Sequence, residues 1–220
     1  MNGTDPVRVV LRPIGTPLPL GFLGLSIATL AFGAIQVGWV EKATGHTVAL
    51  AVLGLTVPGQ LLASVLGYLA RDPVAGTGMG ILSGTWAAIA LATLALPAGA
   101  TSPGLGVVLI GSAAAMLVPA TGGRTKAVAA TVMALSAVRF AVTGIAQLNG
   151  DAGWLAAAGW IGLVLAIVAL YAAFAFALEG TDKRTVLPLW RFGRSAAAVG
   201  GDLREQASGL AREPGVRTQL

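Results

Sequence analysis

Arg139 sits near the middle of residues 125–148, a run otherwise long and apolar enough to cross a bilayer. At about 100° per residue, Thr125, Ser136, Arg139, Thr143 and Gln147 fall within an arc of roughly 80°. The other faces carry mostly Ala, Val, Leu, Met, Phe and Ile. A helix in lipid must turn such a stripe, and its charge, toward protein or water. An arginine at the centre of a span costs roughly 2.5–3.5 kcal/mol on the insertion scale. It also lies about 15 Å of helix from Asn149, too far for its head group to reach the interface. Two readings follow from these residues. Arg139 is a fixed positive charge attracting an anion in an aqueous pathway. Alternatively, it caps carbonyls near Pro58 or bridges helices through Ser, Thr and Gln.

Other chemistry is poorly served. There are no cysteines, so thiolate catalysis and Cys-based metal sites are absent. His46 is the one histidine, and the pattern places it in a solvated loop. No span pairs a nucleophile with a base, and no His/Glu cluster has metal spacing. The expectation is therefore no enzyme, no cofactor and no metal. The spans as read hold no Asp, Glu or His, which argues against a proton relay built into the helices. Facilitated passage, or co-transport in which the substrate carries the proton, remains open.

The elements that must position the stripe follow from composition. Apolar residues form 55% of the 220 and charged residues 10%, against about 25% charge in a soluble domain. With a mean hydropathy of +0.81, this is an integral all-α membrane protein. Its net charge of +5 gathers beside the apolar runs, as the positive-inside rule expects, so it does not indicate nucleic acid. Six spans are expected, near 18–40, 47–70, 76–96, 104–120, 126–148 and 154–178. A segment 1–16 precedes them and a basic tail 181–220 follows.

The first apolar run is too long for a signal-peptide core, so it is read as a retained span. On it Ser26, Thr29, Gly33 and Gln36 share a face, and Trp39 ends it. Thr56, Gln60 and Ser64 stripe the second, where Pro58 predicts a local kink. Gly59, Ala63 and Gly67, and then Gly76, Gly80 and Gly84, let helix backbones approach closely. Arg8, Arg12, Arg71, Arg124, Lys126, Lys183, Arg184, Arg191 and Arg194 flank one set of span ends. Only Lys42 flanks the other. Both termini are therefore expected in the cytoplasm, with the tail, weakly amphipathic through Leu203, Ala207 and Leu210, held near anionic headgroups.

Several segments resemble the acetate uptake transporter family of YaaH/SatP-type membrane proteins. They are Ala158-Gly-Trp-Ile-Gly-Leu163 followed by Tyr171 and Arg184-Thr-Val-Leu-Pro188. Pro17, Pro19, Leu20 and Gly21 match an Asn-Pro-x-Pro-Leu-Gly signature, with Thr16 in the asparagine's place. Gln60, Tyr68 and Trp86 also fall where the family has the same residues. The resemblance covers roughly residues 17–189. It implies six helices per protomer, a pore within each, a homo-hexameric ring in the plasma membrane, and passage of acetate or succinate, proton-coupled or channel-like. A constriction built in the family from Phe, Tyr and Leu would here be Leu25, Leu82 and Ser136. Two family glutamates are replaced, by Gly67 and Phe176. Arg139 stands where a family member has an apolar residue.

The function expected is transport of small carboxylates, with Leu25, Leu82 and Ser136 narrowing the path and the first two dewetting it. Gln60, Ser136, Thr143 and Gln147 would donate hydrogen bonds, and Arg139 would supply the positive field. The rivals are the same fold carrying a different solute and a non-transporting membrane scaffold.

Overall fold

A computed structural model of the chain describes residues 14–182 and 184–192. Arg8, Arg12, Lys183, Arg194 and the amphipathic positions of the tail lie outside the described residues. Among the described residues six helices are long and apolar enough to cross a membrane: Leu18–Gln36, Lys42–Leu69, Pro73–Ala95, Pro103–Gly122, Ala127–Asn149 and Ala152–Asp182. They are called the first to sixth spans.

Local chemistry explains where each begins and ends. Pro17 caps the first span and Pro19 lies in its first turn, where a missing N–H costs nothing. The span stops at Gln36, short of the expected residue 40. Gly38 takes a left-handed backbone (φ 80°), and the Val37 and Trp39 N–H groups close back onto Gly33 and Ala34, as helix C-termini do. Asp72 caps the third span by accepting from Ala75 N–H at 3.0 Å, and Ser102 caps the fourth. Gly150, at φ 69°, ends the fifth.

Two expectations are corrected here. The second span begins earlier than residue 47, with a tight turn at Lys42–Thr44, so His46 lies in the first turn of a helix rather than in a loop. It is exposed, with Nε2 3.2 Å from the Leu96 carbonyl oxygen. The sixth span runs past residue 178 to Asp182, which brings Glu179 into a helix as a buried carboxylate. Near Pro58 the helix widens into a π turn at Val52–Thr56. A wide turn accommodates the proline ring and the hydrogen bond its nitrogen cannot make.

Each span packs on its chain neighbour, and the sixth packs on the first, so the six close into a ring. The inside holds Phe22, Leu25, Met79, Leu82, Trp86, Val132, Met133 and Phe140. Leu23, Leu30, Leu61, Leu117, Val138 and Ile167 remain on the outside, an apolar belt suited to lipid. The second and third spans approach through the expected glycines. A Cβ on Gly67 would stand 2.7 Å from the Gly76 nitrogen, and one on Gly80 would stand 3.0 Å from Ser64 Oγ. Gly84 instead faces open space.

Candidate functional site

Arg139, halfway along the fifth span, is 2% exposed. Its guanidinium lies over the Trp86 ring, 5.1 Å from the centroid. Trp86 itself is stacked on Phe32 (5.7 Å) and meets Phe140 edge-on (6.1 Å). Nη2 donates to Gln36 Oε1 at 3.3 Å, while Nε has no partner among the described residues. Room for this head group comes from Gly162 on the sixth span, where a Cβ would fall 2.6 Å from Nε and 2.9 Å from Cζ. One turn earlier, Gly159 admits Gln36 and Val37 in the same way. The two glycines of Ala158-Gly-Trp-Ile-Gly thus seat the two partners of one hydrogen bond. Arg139 bridges the fifth and first spans through Gln36 and packs on Trp86, the helix-bridging arrangement, and among the described residues no bond runs to carbonyls near Pro58.

These contacts offset part of the burial cost. A desolvated cation–π contact contributes about 2 kcal/mol, and a hydrogen bond to a charged group about 1.5–3. No carboxylate pairs with Arg139 among the described residues.

The remaining predicted residues are distributed rather than gathered. Leu25 and Leu82 are fully buried members of one apolar cluster. Ser136 is buried and donates to the Val132 carbonyl at 2.8 Å. Thr143 donates to the Arg139 carbonyl at 2.8 Å, which keeps it beside the arginine. Gln60 donates Nε2 to the Gly21 carbonyl at 3.3 Å, and its Oε1 has no partner among the described residues. Gly21 in turn leaves space for Met79, whose Sδ would collide with a Cβ there. Pro17 is buried at the entry to the first span, Thr16 is exposed just before it, and Leu20 faces outward. Thr56 and Ser64 hold the Gly24 and Gly76 carbonyls of neighbouring spans.

At the Gln36 end of the ring a cavity of about 110 Å³ opens among Gln36, Lys42, His46, Thr93, Thr101 and Gln147. Gln147 Oε1 there accepts from the Ser102 N–H at 2.7 Å. Arg139 does not line this cavity; Gln36 stands between the two. Reading the sequence placed Gln36 on the polar face of the first span but assigned it no role. That face was the available signal.

The opposite end is closed by the chain after the sixth span. Residues 190–192 pair with the start of the fifth, Ala127 N–H donating to the Trp190 carbonyl at 3.2 Å and Phe192 N–H to the Thr125 carbonyl at 2.8 Å. Leu189 is buried, Tyr171 donates its hydroxyl to the Pro188 carbonyl at 2.8 Å, and Arg191 pairs with Glu179 over the Phe176 ring. Lys126 meets Asp72 at 2.6 Å. Burial resists ionisation of Asp72, but Lys126 and the Ala75 and Val74 N–H groups outweigh it and hold its pKa below the ordinary value.

No family model matches the chain, and no curated protein matches it. Among solved structures the chain is similar to the bacterial acetate channel SatP, at 25% identity and a TM-score of 0.70. The match covers 80% of this chain and 99% of that one. That neighbour is a channel rather than an enzyme, and the match takes in nearly all of its length. The chain therefore has the fold of the acetate transporter family.

Proposed function

We propose that the protein is a membrane channel or transporter for acetate and related small carboxylates such as succinate. The carrying observation is likeness to an acetate channel over 99% of that channel's length. A buried guanidinium inside the ring, with no carboxylate partner among the described residues, supports the same reading. A small anion gains from a positive charge whose surroundings are already desolvated.

In this reading Leu25 and Leu82 form a dewetted constriction, with Ser136 beside them and Arg139 setting the field. Gln60, Thr143 and Gln147 offer polar contacts along the way. The substrate carries any coupled proton, since the polar residues buried inside the ring are mostly hydroxyls and amides. Arg71, Arg124, Lys126 and Arg191 at the Trp190 end favour a cytoplasmic location for that end and for both termini, with the protein in the plasma membrane. A homo-hexamer follows from the family resemblance.

The test is uptake of radiolabelled acetate into proteoliposomes by the wild type and Arg139→Leu. The wild type should exceed empty liposomes, and the variant should fall at least about tenfold below it. Equal flux removes Arg139 from the mechanism. No wild-type flux overturns the substrate assignment, and competition by other carboxylates and neutral solutes then separates a different cargo from a scaffold.

A further inference from the structure

Two buried N–H donors without partners among the described residues belong to side chains stacked on each other. One is Arg139 Nε, and the other is Nε1 of Trp86, whose ring lies beneath the guanidinium. Unpaired buried donors are costly, and two in one stack imply an acceptor that enters the site. The nature of that acceptor follows from guanidinium geometry. Nε and Nη2 point along the same edge, the fork that a carboxylate grips with both oxygens. Here Nη2 holds Gln36 Oε1 at 3.3 Å while Nε has no partner among the described residues. A carboxamide brings only one oxygen, and no charge, to a fork built for two.

Gln36 is also placed to leave. It is the last residue of the first span and only half-buried. Its other side lines the cavity of about 110 Å³ that holds Lys42, the cation on that wall. Gly162 carries no side chain, so the guanidinium packs directly against that stretch of backbone and no side chain on the sixth span holds it there.

We propose that Gln36 is a displaceable occupant of a carboxylate site: a small carboxylate entering from the cavity replaces Gln36 Oε1 on Arg139 and takes both Nε and Nη2. Lys42 draws the anion to the mouth, and Gln36 sets the affinity by competing for the arginine. The inference rests on the transport reading for the anion's route, but binding at Arg139 does not require flux.

The experiment uses the full-length protein, purified and reconstituted, as wild type, Gln36→Leu and Gln36→Glu, each checked for an unchanged melting profile. Gln36→Ala serves if the leucine disturbs the helix end. Acetate binding is read from tryptophan fluorescence, which Trp86 reports, and acetate flux is read in proteoliposomes. Removing the competitor should tighten acetate binding about three- to tenfold, and a tethered carboxylate should weaken it at least about tenfold. In an Arg139→Leu background both changes should vanish, a result that a merely structural glutamine would not produce. Unchanged or weaker binding in Gln36→Leu, or wild-type binding in Gln36→Glu, overturns the proposal even if acetate flows. Binding with these shifts but without flux overturns the transport reading and leaves the site standing. Absence of both removes both.

Discussion

The two ends of the ring treat their charges in opposite ways. At the Trp190 end, Arg191 meets Glu179 and Lys126 meets Asp72, so each of these cations has an anion and ties one segment to another. Toward the Gln36 end, Arg139 is more deeply buried than either, yet among the described residues it has an amide and an aromatic face in place of an anion. A buried ion pair is self-contained, and removing one partner strands the other. A buried cation without a counter-ion is an unfinished site. The first arrangement holds the fold together, whereas the second is stabilised only in part and is available to something that arrives.

That contrast makes Arg191 and Arg139 behave oppositely on truncation. Arg191→Leu leaves Glu179 buried and unpaired and should destabilise the protein by about 3–5 kcal/mol, measured by thermal or denaturant unfolding in detergent. Arg139→Leu strands no carboxylate and should leave stability unchanged or raised. If Arg139→Leu proves the more destabilising of the two, the arginine is a structural clamp and the contrast collapses.

A smaller effect is expected from two glycines. Gly67→Ala drives a methyl into the Gly76 backbone, which cannot give way, and should cost about 1–3 kcal/mol. Gly162→Ala meets only the far end of the Arg139 side chain. It should cost less than about 1 kcal/mol yet shift acetate half-saturation, because the guanidinium must move off Gln36. Unfolding curves and flux measured on the same preparations separate the two outcomes. Equal stability losses with unchanged flux would show that the Arg139 pocket is packed like any helix contact.

The smallest effect concerns Asp72. Its pKa is held below the ordinary value, so the carboxylate contributes stability above the unfolded-state pKa. That contribution disappears as pH falls through the folded-state value. Asp72→Ala should lose about 1 kcal/mol at neutral pH, from the lost cap and the stranded Lys126. The difference from wild type should shrink in acid. Melting temperatures measured from neutral pH to below pH 4 would check it, and a constant difference would place the cost elsewhere.

Much of the fold was readable because lipid imposes a simple rule. A helix in hydrocarbon satisfies its own backbone, so apolar runs divided by Gly, Pro and charge correspond to helices. The ends were less legible, since they depend on single backbone states such as the left-handed Gly38 or on how far a polar residue is tolerated, as with Glu179. The stripe of the fifth span was equally visible, but much of its chemistry was not. Ser136 and Thr143 spend their hydroxyl protons on carbonyls one turn back in their own helix, and periodicity alone does not distinguish such bonds from pore contacts. The polar stripe of the second span likewise holds neighbouring carbonyls.

What the residues alone determined is the class of molecule: an all-α membrane protein of six spans with one arginine that is costly to face toward lipid. Composition and period suffice for that, because both follow from local backbone and solvent physics. Only the tertiary structure decided that Arg139 meets Gln36, 103 residues away, across glycines on a third helix and above Trp86 on a fourth. Helical period tells which side of a span faces inward. Ring closure decides which side chains meet there, and those meetings leave two buried donors without a partner among the described residues.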